Sequence, residues 1–265
     1  MVVIEISGRK GAGKTTLASI LTQKFKNLGL SVINLSFAEP IKKILLKMYI
    51  TKDGLYEILF DNYFNVYKKN FDNFYNDYFK PKLIEKIYHE CIKNDIDKII
   101  FFTGDLKKSI LKGYERNESL IITGIKKYLN CEFEKGYRIL AQTIGTEILR
   151  NHLFEDIFVY IVKRKILKLV GNVDLVIIDD FRFPNEDLSD FVNFNVLNEK
   201  SACIKILVSN VEDSEDSSSL DLTSRHISEN SYKKINFDYK IVRKKDKYLN
   251  FDMNEFIGFV CDYIF

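Results

Sequence analysis

The chain has 265 residues, 46% of them hydrophobic and 29% charged, with a formal net charge of +3. That is the usual mixture of a globular chain, long enough for one large domain or for one domain carrying a sizeable insertion. So small a net charge fits an anionic small molecule and does not demand nucleic acid, which is not expected as a partner. The 4 cysteines, Cys91, Cys131, Cys203 and Cys261, lie far apart without a CxxC pair or a Cys/His cluster. This pattern predicts a reducing compartment and no structural metal. The start MVVIEISGRKGAGK lacks the apolar stretch of a secretion signal, and no run reaches the ~18 apolar residues of a membrane span. A cytoplasmic location is expected.

Residues 2–6, VVIEI, predict a buried opening strand, and residues 8–13 a tight polar loop. Leu17, Ile20, Leu21 and Phe25 have helical spacing, stopped by Gly29. A second strand is expected over 31–37 and a second helix over 38–49, with Pro40 in its first turn. Strand, helix, strand, helix opens a mostly parallel α/β sheet flanked by helices. Over 51–131 the text turns to aromatics mixed with Asn, Lys and Asp. Tyr63, Phe64, Tyr67, Phe71, Phe74, Tyr75, Tyr78 and Phe79 fall mostly at three- and four-residue steps, which predicts a largely helical insertion within one domain of 1–265. Helices are expected over 136–150 and 155–170, and the apolar run 173–178 reads as a strand of a parallel sheet. Strands are expected over 203–208 and 237–243, and a closing helix over 253–265. The acidic, serine-rich stretch within 209–230 reads as a lid or flap.

Residues 8–15, GRKGAGKT, match G-x-x-x-x-G-K-[ST] at every defined position, with an apolar strand before and an amphipathic helix after. A chance glycine-rich turn is the bland alternative, and the flanks argue against it. Gly8 and Gly13 permit backbone angles that turn successive N–H groups toward one anion, and Gly11 adds a flexible position. The helix start adds unpaired N–H groups and a positive dipole end. Lys14 is placed to reach the β- and γ-phosphates, and Thr15 offers a hydroxyl to Mg2+. Lys10, Ala12 and Thr16 complete the expected nucleotide-binding loop.

In YRILAQTIGTEILRNHLFED, Arg138, Gln142, Thr146 and Arg150 recur every four residues and form one stripe on a helix. Leu140, Ala141, Ile144 and Ile148 take the other side. Gly145 lies beside the stripe, where a helical glycine costs about 1 kcal/mol relative to alanine and so invites a compensating close approach. Two arginines, an amide and a hydroxyl can hold a phosphate and a base edge. A solvated helix face is the competing reading.

Residues 179–186, DDFRFPNE, follow the most apolar strand, and the carboxyl ends of such strands line the ligand crevice of open α/β sheets. An acid there can hold Mg2+, with Asp180 favoured over Asp179, and Arg182 can reach a transferring or acceptor phosphate. Pro184 fixes the turn, and Asn185 or Glu186 can anchor it. Pro, Asn and Glu are also ordinary at a helix start.

Four blocks together, GRKGAGKTT, SFAEPIKKIL, RILAQTIGTEILR and DDFRFPNE, with a fainter echo in SRHISE at His226, Ser228 and Glu229, resemble the deoxynucleoside monophosphate kinases of bacteriophages and large DNA viruses, a branch of the P-loop kinases. The resemblance implies a P-loop NTPase fold and transfer of the ATP γ-phosphate to a deoxynucleoside monophosphate, with ATP and Mg2+ bound. It implies that Arg138, Gln142, Gly145, Thr146, Arg150 and Arg182 lie near the monophosphate. Lys14, Asp180, Arg182 and Arg150 then carry catalysis, with Thr15 and Asp180 at the metal. Homodimerisation is a further expectation. The chain departs from the family where ILVSNVEDSEDSSS has no arginine, and Arg225, Arg164 or Lys163 are the expected substitutes. Kinases of other small phosphorylated acceptors, of dephospho-coenzyme A or phosphomevalonate type, and a nucleotide-dependent DNA-binding switch are the competing functions.

Overall fold

A computed structural model describes residues 1–48, 50–52, 71–99, 105–195, 201–210, 231–244, 247–249 and 251–265. The chain forms two compact units. The first comprises Met1–Phe37 and Phe158–Phe265, and the second Ala38–Ile157. The expected insertion of 51–131 falls inside the second. Of the expected flap of 209–230, residues 209–210 end a strand and residues 211–230 lie outside the described residues, as do Tyr63, Phe64, Tyr67, Arg225 and the HISE echo.

The first unit is built on a sheet. β1 (Val2–Ser7), β2 (Val32–Leu35), β3 (Leu175–Ile178), β4 (Ala202–Asn210), β5 (Tyr239–Lys244) and β6 (Lys247–Leu249) lie in the order β2-β3-β1-β4-β5-β6. The first five are parallel, and β6 closes the edge as an antiparallel hairpin with β5. β1 and β3 are buried along their whole length. Burial on both faces is why these segments are almost wholly apolar without alternation, Glu5 and Ser7 of β1 being the polar exceptions.

One face of the sheet is covered by α1 (Lys14–Asn27) and by the closing helix α9 (Met253–Asp262). Leu17, Leu21 and Phe25 pack there against Ile4, Ile6, Leu175, Ile177 and Ile206, with Phe256 and Val260 from α9. Each such fully buried side chain stabilises by about 1.5–3 kcal/mol relative to exposure. Lys24 and Lys26 in the last turn of α1 suit its negative dipole end. Asp252 caps α9 by accepting from the backbone N–H groups of Asn254 and Glu255. The chain returns from the second unit through α7 (Ile157–Leu169). α8 (Ser189–Asn195), beyond the DDFRFPNE segment, packs on β4.

The opposite face of β1 carries a polar residue. Glu5 is fully buried, and its Oε2 accepts from the Cys203 thiol at 3.3 Å and the Leu188 N–H at 3.4 Å. Burial, with the nearby Asp187 carboxylate, raises the Glu5 carboxyl to about 8. Asp187 is ionised and paired with Lys205 at 2.7 Å. One neutral acid beside one ion pair is how this cluster avoids a buried uncompensated charge.

The second unit is helical. α2 (Glu39–Lys47) opens it, with Pro40 in the first turn as expected. A wide, π-type stretch with i→i+5 bonds, Phe74–Phe79, runs into α3 (Lys80–Lys93). Of the aromatic repeat's described residues, Phe74, Tyr75 and Phe79 are buried, Phe71 is half-buried and Tyr78 is exposed, and Tyr75 stacks on Phe71 and Phe79. The Tyr75 and Tyr114 hydroxyls meet at 2.7 Å, and Tyr75 also donates to Glu118, which pairs with Lys80 at 2.9 Å. α4 (Leu106–Arg116), α5 (Glu118–Leu129) and α6 (Phe133–Gln142) follow. α5 and α6 approach closely at two glycines: a Cβ at Gly136 would lie 2.5 Å from the Tyr128 nitrogen and 2.7 Å from the Gly124 oxygen. His89 sits on the surface near Glu85. Among the described residues no helix is long and apolar enough to cross a membrane.

Candidate functional site

The loop after β1 has the shape its glycines predict. Gly8, Gly11 and Gly13 have positive φ of 143°, 80° and 95°. At Gly8 a Cβ would lie 2.1 Å from the Val208 carbonyl oxygen, so the close approach of β4 requires glycine there as much as the dihedral does. Gly13 precedes α1 without any side-chain cap, and the first turn holds no acid. The orphan N–H groups and the positive dipole end of α1 are therefore left to an anion. The Ala12 side chain is fully buried, and its N–H donates to Arg9 O at 3.2 Å, which tightens the loop. Lys10, Gly11, Thr15 and Thr16 are exposed. The Lys14 ammonium lies back over the loop and donates to the carbonyls of Gly8 and Arg9 at 2.7 and 2.8 Å.

The end of β3 meets this loop. Thr15 Oγ1 donates to Asp179 Oδ2 at 2.7 Å. Asp180 points elsewhere: it accepts from Ser36 Oγ at 2.5 Å and from the Phe37 N–H at 2.9 Å. The sequence favours Asp180 as the metal-side acid, whereas the structure sets Asp179 against Thr15 and uses Asp180 to fix the chain after β2. Neighbours at a strand end have no pleat to follow, so periodicity cannot separate them.

The turn that carries Arg182 is anchored from within. Glu186 is buried and accepts from the backbone N–H groups of Arg182 and Phe183 at 2.7 and 3.0 Å. Ser7 Oγ, at the foot of the loop, donates to Phe181 O at 2.6 Å. Loop and turn are thus tied together at their bases. Pro184–Glu186 forms one short 3-10 turn, so the helix-start reading of this segment also holds.

In the second unit, α6 passes into a wide helix over Thr143–Leu153 with i→i+5 bonds. Arg138 and Gln142 stand on the α part and are half-buried. Gly145, Thr146 and Arg150 stand on the wide part and are buried, Thr146 and Arg150 each at 8% exposure. Four residues overshoot one α turn but fall short of one wide turn. The drift of the stripe therefore reverses at Gln142, and Gln142, Thr146 and Arg150 stay nearer one line than a uniform α-helix allows. A solvated face does not describe buried Thr146 and Arg150. His152 packs on Gly113 of α4 and lies 3.4 Å from Arg116.

Of the expected substitutes for the missing arginine, Lys163 lies over the Phe191 ring and Arg164 over the Tyr160 ring, at 5.3 and 5.6 Å. Among the described residues Arg243 of β5 also reaches the phosphate loop, its side chain packing on Gly13. With Ser7 and Tyr248, it is what sequence reasoning misses: β5 follows the loop by more than two hundred positions, and no local pattern marks it.

A family model described as deoxynucleotide monophosphate kinase matches residues 2–196, a stretch holding the loop, the Arg138–Arg150 stripe and the DDFRFPNE segment. No curated protein matches the chain.

Proposed function

This chain belongs to the deoxynucleotide monophosphate kinase family and is a phosphotransferase, and from that premise we propose that it moves the γ-phosphoryl group of ATP to a deoxynucleoside 5′-monophosphate. The observation that carries the ATP half is the uncapped start of α1 with Lys14 beside it and the Thr15–Asp179 pair at its first turn. Uncapped N–H groups, a lysine and a hydroxyl next to a carboxylate are the donor set that a triphosphate and a divalent cation require. Thr15 and Asp179 are the residues to hold Mg2+, which when bound neutralises charge on the β- and γ-oxygens. The acceptor half rests on Arg138, Gln142, Thr146 and Arg150. Two arginines flank an amide and a hydroxyl: forks for a monophosphate, and an amide for a base edge.

Phosphoryl transfer of this kind is mainly positioning and charge neutralisation, without a covalent enzyme intermediate. Lys14 exchanges its contacts with the loop carbonyls for the phosphate oxygens. Arg182 and Arg150 balance charge on the acceptor side. An acceptor that is already a phosphate oxyanion needs no strong base, so neither His152 nor His226 has a proton to take.

A panel of dAMP, dGMP, dCMP, dTMP, dUMP and the ribonucleotides, each with ATP and Mg2+, tests the proposal through ADP release. ADP should appear with one or more deoxynucleoside monophosphates. Release driven by dephospho-coenzyme A, or by DNA without any monophosphate, would sink it.

A further inference from the structure

The hairpin of β5 and β6 places Arg243 and Tyr248 directly opposite each other. Opposed residues of an antiparallel pair project from the same face. Both reach the last glycine of the phosphate loop. Tyr248 Oη donates to Gly13 O at 3.0 Å, and a Cβ on Gly13 would lie 2.8 Å from both Cδ and Nη1 of Arg243. The guanidinium thus packs on the bare Cα of the residue before Lys14. The φ of 95° calls for glycine at this position, and the Arg243 side chain occupies the space beside its Cα.

The sheet order gives the contact a direction. Arg243 pairs with Asn210, the last residue of β4, so it stands at the carboxyl end of the parallel strands, on the same side as the loop. In the order β3-β1-β4-β5 the Thr15–Asp179 pair lies toward β3 and Arg243 toward β5. Arg243 therefore stands on the side of the loop away from the Thr15–Asp179 pair, across β1 and β4. We propose that Arg243 is a donor-binding residue that holds the α-phosphate of the nucleoside triphosphate, with Tyr248 steadying the loop carbonyl beside it. The guanidinium suits this task because its fork donates in parallel to two phosphate oxygens, which a lysine cannot do. The inference rests on the reading that the loop takes a nucleoside triphosphate.

The test is calorimetric binding of ATP and of ADP to the full chain, with KM for ATP and for the monophosphate, in wild type, Arg243→Gln, Arg243→Lys and Tyr248→Phe. Arg243→Gln should weaken ATP and ADP alike by roughly tenfold or more, the effect of losing a charge-assisted contact. Arg243→Lys should recover part of the loss, and KM for the monophosphate should stay unchanged in both. Undiminished nucleotide binding by Arg243→Gln would overturn the inference. So would a parallel rise in both KM values with a lowered unfolding midpoint in the glutamine and lysine variants alike, the mark of a structural brace. A wild-type chain that binds neither ATP nor ADP would sink the phosphate-loop reading itself, and the wild-type arm shows that separately.

Discussion

Thr15 and Asp179 meet although 164 positions separate them, and their neighbour Asp180 bonds to Ser36 and the Phe37 N–H instead. The two acids can be told apart in solution. Asp179→Asn and Thr15→Val should raise the Mg2+ concentration needed for half-maximal turnover. Asp180→Asn should leave that titration in place but lower stability by about 1–3 kcal/mol, because it weakens the acceptor for Ser36 and the Phe37 N–H. A Mg2+ titration beside a thermal melt decides it, and the reverse assignment would show the opposite pair of effects. Glu5 makes a pH prediction. Its carboxyl, at about 8 in the folded chain, stands above the ordinary 4.5, so the folded state keeps a proton that the unfolded state releases. This contribution is fully present below the unfolded value and is lost as pH rises toward about 8, at about 1.4 kcal/mol per unit. Glu5→Gln cannot ionise and should remove that slope. Urea midpoints of the two proteins should diverge between pH 5 and 8.5, and parallel curves would refute the account.

At the scale of elements, two glycines on helices have opposite expectations. Gly136→Ala gains about 1 kcal/mol of helix propensity, but its Cβ would meet the backbone of Tyr128 and Gly124 on α5. Backbone cannot step aside as a side-chain end can, so overpacking of about 1–3 kcal/mol wins and the protein is destabilised. Gly258 on α9 has nothing within 4 Å of its Cβ position. Gly258→Ala should therefore stabilise by about 0.5–1 kcal/mol. Denaturant midpoints of both variants read the contrast directly, and a shift of the same sign in both would contradict the packing of α5 on α6. The wide helix is the element that the sequence conceals. The stripe at Arg138, Gln142, Thr146 and Arg150 is legible as a helical repeat, but the change from i→i+4 to i→i+5 bonding leaves the residue spacing untouched. Only the backbone bonding of the folded chain, over Thr143–Leu153, shows which turns are widened.

For the molecule as a whole, a net charge of +3 sets weak long-range attraction for polyanions. Turnover should follow the monophosphate concentration and stay indifferent to added duplex DNA. ADP release that climbs with DNA in the absence of monophosphate would show that the charge balance misleads.

Most strands of the first unit and α1 could be read in the sequence because strands buried on both faces must be mostly apolar and α1 must turn one stripe to them. The phosphate loop was legible for the same kind of reason: its φ values and the approach of Val208 leave glycine as the residue that fits at Gly8. The Tyr75–Tyr114–Glu118 network, the β6 hairpin, the different hydrogen-bond partners of Asp179 and Asp180 and the contact of Arg243 with Gly13 were decided by the tertiary structure. Each depends on which residue from a distant segment arrives at a given point, and chain-local periodicity carries no information about that.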